Sequence, residues 1–204
     1  MREKWYVIPL SGLAAVVLWS ALGSTGWLVW WMEALPALLA VALLAATYRK
    51  FRFTPLVYGL VWLHCVILLV GAHYTYECVP LFDWIREAFG QARNNYDKLG
   101  HFAQGFVPAL AARELLLRTS GLARGKWMFA LVALGILGVS AIYELIEWWA
   151  AVALGETADS FLGTQGDIWD AQKDMLCALA GAICALVTLS RLQDRQLRKM
   201  GIAN

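Results

Sequence analysis

The chain has 204 residues, 60% of them hydrophobic and 16% charged, with a formal net charge of +2. A soluble domain carries about 25% charged residues, and here the apolar residues come in long blocks, so a soluble globular fold is excluded. The small net charge averages two opposite faces, and the basic residues are dispersed over short loops, which argues against a nucleic-acid partner.

A membrane-crossing helix needs about 20 largely apolar residues. Six blocks fit: Tyr6–Leu22, Trp27–Thr47, Pro55–Ala72, His101–Leu117, Trp127–Leu154 and Ile168–Ser190. Arg2 and Lys4 precede the first, and Ala21-Leu22-Gly23 would pass as a signal-peptide cleavage site. The run is longer than the usual signal core, so it reads as a retained anchor; cleavage would leave the other five spans oriented as before. The second block carries Glu33. The third holds His64 at mid-span, read as a packing residue, and ends at His73. The His73–Gly100 connection is the longest, and Pro80–Phe89 within it is predicted to be helical. Proline suits a first helical turn, and Leu81, Trp84, Ile85 and Ala88 recur at helical spacing away from Asp83, Arg86 and Glu87. Such a helix either lies in the membrane interface or forms a lid on the bundle.

The fourth block opens with Asp97 and His101, four apart on one helix face, with Gln104 extending that face. The fifth brings Glu144 and Glu147 past its midpoint, with Gly135 and Gly138 as expected close-packing points. The sixth begins with Asp167, Asp170 and Asp174 at helical spacing, and Gly181 and Ala185 follow as further packing points. Most of the eleven tryptophans fall near block ends, as membrane-interface anchors do. The four cysteines have neither zinc nor disulfide spacing. Alternating amphipathic strands and internal repeats are absent, which argues against an outer-membrane barrel. The expected fold is all-α: one integral membrane domain over residues 1–204, a polytopic bundle of six transmembrane helices with a short outer interfacial helix.

Lys and Arg in short loops set orientation. With the N-terminus cytoplasmic, thirteen of the seventeen Lys and Arg lie inside, and every loop agrees, so both termini are expected in the cytoplasm. Twelve of the fifteen carboxylates then fall on the outer side. A charge at the centre of a membrane helix costs roughly 2.5–3.5 kcal/mol on insertion scales, so such residues have partners and a task. Asp97, His101, Glu144, Asp170 and Asp174 are therefore expected to line one outer cavity, as acid/base groups. His101, Glu144, Asp170 and Asp174 are the candidate ligands of a divalent cation, since carboxylates with imidazole suit Zn, Mn, Mg or Ca. A competing reading makes Asp97 and Asp167 or Asp170 plain helix N-terminal caps, with Lys98 or Arg93 pairing the acids. Glu114, the main acid near a span on the inner side, is expected to pair with its neighbour Arg113.

Three segments carry a resemblance: Arg93–Phe106 (RNNYDKLGHFAQGF), Tyr143–Trp149 (YELIEWW) and Phe161–Met175 (FLGTQGDIWDAQKDM). They resemble YjdF-type bacterial inner-membrane proteins over most of the chain, which implies a multi-pass protein of the bacterial inner membrane and no particular reaction. The run Asp97-Lys98-x-x-His101 and the later Glu144 are also similar to VanZ-like proteins, a group linked to glycopeptide-antibiotic resistance. Their final motif has Asn four residues after Asp, where this chain has Asp174 after Asp170, and their next Gly falls on Cys177.

Two functions from different classes remain. One is a small membrane enzyme acting at the outer leaflet on an envelope or lipid-linked small molecule. The other is a cation- or proton-coupled transporter using the same acids as a relay. A scaffold whose acids only hold helices together is the third. Membrane lipids are expected partners in every case. An enzyme pocket stops at the outer side, whereas a relay reaches the cytoplasmic face.

Overall fold

A computed structural model describes residues 7–154 and 164–202. Arg2, Lys4 and the 155–163 part of the loop before the last helix lie outside the described residues. The described residues form seven α-helices: α1 (Val7–Ala21), α2 (Trp27–Thr47), α3 (Pro55–Tyr74), α4 (Pro80–Phe89), α5 (Tyr96–Thr119), α6 (Lys126–Leu154) and α7 (Asp170–Lys199), with a 3₁₀ turn at Tyr76–Cys78. The second block and the short loop helix have the expected bounds, and α7 runs nine residues beyond the expected Ser190.

The protein is all-α, and α2, α3, α6 and α7 are long and apolar enough to cross a bilayer. The expected set of six also counted α1 and α5. The first has 15 described residues. The second has 24, but Asp97, Lys98, His101, Arg113, Glu114 and Arg118 lower its apolar character. Its position answers that composition: α5 is the most enclosed helix, with α3, α6 and α7 packed around it. This polar helix is thus shielded from lipid by its neighbours, whose outward faces stay apolar, with Leu134, Val152 and Val187 all exposed. This is the surface that a lipid solvent requires.

Two buried clusters hold the bundle. Leu13, Trp30, Ala34, Cys65 and Leu69 join α1, α2 and α3. Val57, Leu110, Met128, Val132, Ala182 and Leu186 join α3, α5, α6 and α7. At the first cluster, Trp30 Nε1 donates to Ser20 Oγ (2.9 Å), which donates to the Leu69 carbonyl (2.6 Å). His73 lies 3.2 Å through Nδ1 from the Ser20 carbonyl and stacks on Trp19, so it fastens α3 to α1.

The α5–α7 seam is the closest in the molecule. A Cβ on Gly105 would overlap the Ala178 backbone, and one on Gly181 would overlap the backbone of Phe102 and Phe106. Gly181 is therefore the expected packing point. Gly135 and Gly138 are not: nothing lies within 4 Å of where their Cβ atoms would be. They occupy the outward side of α6, where small size brings no neighbour closer.

The end of the bundle where α7 finishes has its own polar knot. Glu114 is fully buried, accepts from Thr54 N at 3.1 and 3.2 Å and from Thr54 Oγ1 at 2.9 Å, and pairs with Arg118 at 2.9 Å. The expected Glu114–Arg113 pair does not form. Neighbouring residues on a helix point about 100° apart, and Arg113 instead reaches across to Gln193 and Asp194 on α7.

Candidate functional site

The opposite end, where α5 and α7 begin, gathers the remaining acids. Asn94 holds the approach together. Its side-chain nitrogen donates to the Val79 carbonyl and to Asp83 Oδ1, and its side-chain oxygen accepts from Tyr96 N. Its backbone is clamped by Gln165: Asn94 N donates to Gln165 Oε1 (3.0 Å), and Gln165 Nε2 donates back to the Asn94 carbonyl (2.9 Å). The loops before α5 and α7 are thereby stitched side by side, which brings the two acidic helix starts together. Tyr76 packs beside them, in space left by Gly71 and Gly100, either of which would strike its ring if it carried a Cβ.

Arg93 and Lys98 sit at the mouth. Arg93 bonds Asp170 and stands 3.7 Å from both Asp97 and Asp167. Lys98 Nζ lies 2.5 Å from Asp170, 2.8 Å from each Asp174 oxygen and 3.5 Å from Asp97 Oδ2. Asp167 accepts from Trp169 N and from Lys173 Nζ, and those bonds, the lysine's foremost, hold its carboxyl below the usual range. Glu77 lies in the 3₁₀ turn, where partial burial raises its carboxyl.

His101 is one turn deeper. Its Nδ1 lies 2.9 Å from Gln104 Oε1. Its Nε2 faces Asp97 Oδ1 at 3.3 Å and Asp174 Oδ1 at 3.8 Å. Glu144 Oε1, on α6, is 3.8 Å from His101 Nδ1, and that oxygen has no hydrogen-bond partner. Glu147 shares the field of these charges without a hydrogen bond or ion pair among the described residues. From α2, Glu33 is 3% exposed, near the Tyr76 backbone and within electrostatic reach of Asp97, and neither of its oxygens has a hydrogen-bond partner.

All five expected site residues are thus brought together. Asp97, His101 and Asp174 form the tight group, with one ligand atom each within 4.8 Å of the others. Asp170 is turned to Arg93 and Lys98, and Glu144 adjoins His101 from a third helix. Asp97 caps nothing; Asn95 holds the cap position, without a side-chain bond. The Asn94–Gln165 clamp and the placement of Tyr76 were not anticipated, although Asn94 and Gln165 both lie in the segments that carry the family likeness.

The sequence matches the family described as "Predicted membrane protein (DUF2238)" over residues 6–195. This chain belongs to that family. It is also 49% identical over 190 residues to the inner membrane protein YjdF of Escherichia coli (strain K12), covering 93% of this chain and 91% of that protein. No solved structure matches. Family membership and the apolar helices make the chain an integral membrane protein. The segments that resemble YjdF-type proteins are the ones that build the acid–histidine site; of the third, residues 161–163 lie outside the described residues.

Proposed function

We propose that this is a multi-pass protein of the bacterial inner membrane, with six spans and both termini cytoplasmic. Its acid–histidine site opens to the periplasmic side and acts as a small enzyme on an envelope or lipid-linked small molecule. The location follows the name of the Escherichia coli relative. The orientation follows the Lys and Arg distribution. The observation that carries the functional reading is the convergence of Asp97, His101 and Asp174 at one bundle end. An imidazole held by Gln104 on one nitrogen and facing carboxylates with the other is arranged as an acid–base group. Asp97 and Asp174 orient and balance it, Asp170 holds the basic residues at the mouth, and Glu144 is the second group able to carry a proton.

The enzyme reading is preferred to a transporter. A relay needs polar groups through to the other end, but after Gln104 the buried face of α5 is Gly105, Val107, Ala109 and Leu110 until Arg113. The facing part of α7 is equally apolar, with Ala178, Gly181, Ala182 and Ala185 buried. The test uses the full chain purified in detergent and incubated with an inner-membrane lipid extract, followed by mass spectrometry of the lipids. Wild type is expected to consume one species that His101→Ala leaves intact. No conversion by wild type, with cation uptake into proteoliposomes instead, would replace the enzyme with the transporter.

A further inference from the structure

We infer that Asp97, His101 and Asp174 form a binding site for a divalent cation of the Zn²⁺ or Mn²⁺ class, a proposal that rests on the same site as the proposed function and, with the ion bound, moves the proton-carrying role there from His101 to Glu144. The geometry is the first support. Ligand atoms held about 2.0–2.2 Å from a zinc-class ion stand roughly 3–4 Å from one another. His101 Nε2 is 3.3 Å from Asp97 Oδ1 and 3.8 Å from Asp174 Oδ1, and all three ligand atoms lie within 4.8 Å of one another, close to that spacing.

The second support is how His101 is held. Its Nδ1 lies 2.9 Å from Gln104 Oε1, which fixes the ring with Nε2 toward the two carboxylates. A histidine whose remote nitrogen is tied to an oxygen acceptor is also how metal-ligating imidazoles are oriented.

The third support is charge. Glu33, Asp97, Glu144, Glu147, Asp170 and Asp174 share this end, while Arg93 and Lys98 supply the permanent positive charges that face them among the described residues. Glu33 is 3% exposed beside Asp97 and neither of its oxygens has a hydrogen-bond partner, so a cation at this end would give it one. Lys98 serves the acids from the mouth and meets Asp97 through Oδ2, while His101 meets it through Oδ1. The Asp97 oxygen that faces His101 is therefore not the one Lys98 approaches, whereas at Asp174 an ion displaces Lys98 Nζ, which lies 2.8 Å from the Oδ1 that faces His101. Two carboxylates and one imidazole make a mixed O/N set that suits Zn²⁺ or Mn²⁺ better than Ca²⁺. Three protein ligands leave further positions open for water or substrate, as in catalytic rather than structural sites.

The test strips the detergent-purified full chain with chelator, loads it separately with ZnCl₂ or MnCl₂, desalts it and measures metal by elemental analysis. Wild type is expected to retain about one ion per chain, as a single three-ligand site does. His101→Gln and Asp97→Asn should weaken retention by about tenfold or more. Lys98→Met should keep or tighten it, because a competing ammonium is removed. Cobalt loading should give ligand-field absorption that His101→Gln abolishes. Wild type that retains neither ion, or retention unchanged in both His101→Gln and Asp97→Asn, would overturn the site. The two readings fail separately: lipid conversion without metal would remove the ion and keep the enzyme, and metal without conversion would do the reverse.

Discussion

Glu114 accepts hydrogen bonds from Thr54 and Gln193 as well as its ion pair with Arg118, and it has no exposed surface. Thr54 precedes α3, so this carboxylate serves the start of that helix and holds it against α5 and α7. Its loss would strand the Thr54 amide and leave Arg118 only the Arg52 carbonyl and the Phe51 ring. Glu114→Ala is expected to destabilise by roughly 3–5 kcal/mol, the cost of breaking a buried pair from one side. Glu144 differs: its Oε1 has no hydrogen-bond partner, and the nearest recorded charge is His101 at 3.8 Å. Glu144→Gln is expected to keep the wild-type melting temperature in detergent while abolishing turnover in the lipid-conversion assay. A fall in melting temperature matching that of Glu114→Ala would assign Glu144 to the scaffold instead.

Among the elements, the α5–α7 contact decides whether the site exists at all. Asp97, Lys98 and His101 come from one helix and Asp170 and Asp174 from the other, and Gly105 and Gly181 set how closely the two approach. A β-branched residue at either glycine meets backbone, which cannot turn aside. Gly105→Val and Gly181→Val are expected to abolish a cooperative melt. Gly135→Ala and Gly138→Ala meet open space, and alanine is favoured over glycine in a helix by about 1 kcal/mol, so these two should melt at or slightly above wild type. Equal damage from all four would place a partner against α6. The amphipathic α4 has no buried residue, and Leu81, Trp84 and Phe89 are exposed along it while Phe82 packs on Tyr96. This favours the interfacial helix over the lid. A fluorophore on a cysteine replacing Phe89 should be quenched by lipids brominated near the headgroup; quenching only by a water-soluble agent would restore the lid.

At the scale of the whole molecule, the acid–histidine site and the Glu114 knot lie at opposite ends of α5, one rich in carboxylates and the other in arginines. In the proposed orientation the Glu114 end, the one favoured by the Lys and Arg bias, faces the cytoplasm. In a variant lacking Cys78, a cysteine at Gln91 should react with an impermeant thiol reagent on intact cells, and one at Gly121 should react only after lysis. The reverse pattern would invert the molecule. The pattern of apolar blocks also made the helix positions legible, because twenty apolar residues in succession have few other stable states in lipid. Four of the six blocks are helices long and apolar enough to cross by themselves; α5 is long enough but more polar, and it is enclosed by three other helices.

The sequence by itself determined the all-α membrane class, most helix bounds, the amphipathic loop helix and the end at which the acids collect. These follow from local periodicity, composition and charge bias, each readable without knowing what lies across the bundle. It also showed that Asp97 and His101 share a face, since that depends on spacing within one helix. The tertiary structure decided which groups meet. Asp174 joins Asp97 and His101 while Asp170, one turn nearer the end, goes to Arg93 and Lys98. Arg113 turns to Asp194 and leaves Glu114 to Arg118. Gly105 and Gly181 are contacts, and Gly135 and Gly138 are not. The physical reason is common to all three: the rotation and depth of one helix against another are set by side-chain and backbone packing across the seam, and no pattern within a single helix records them.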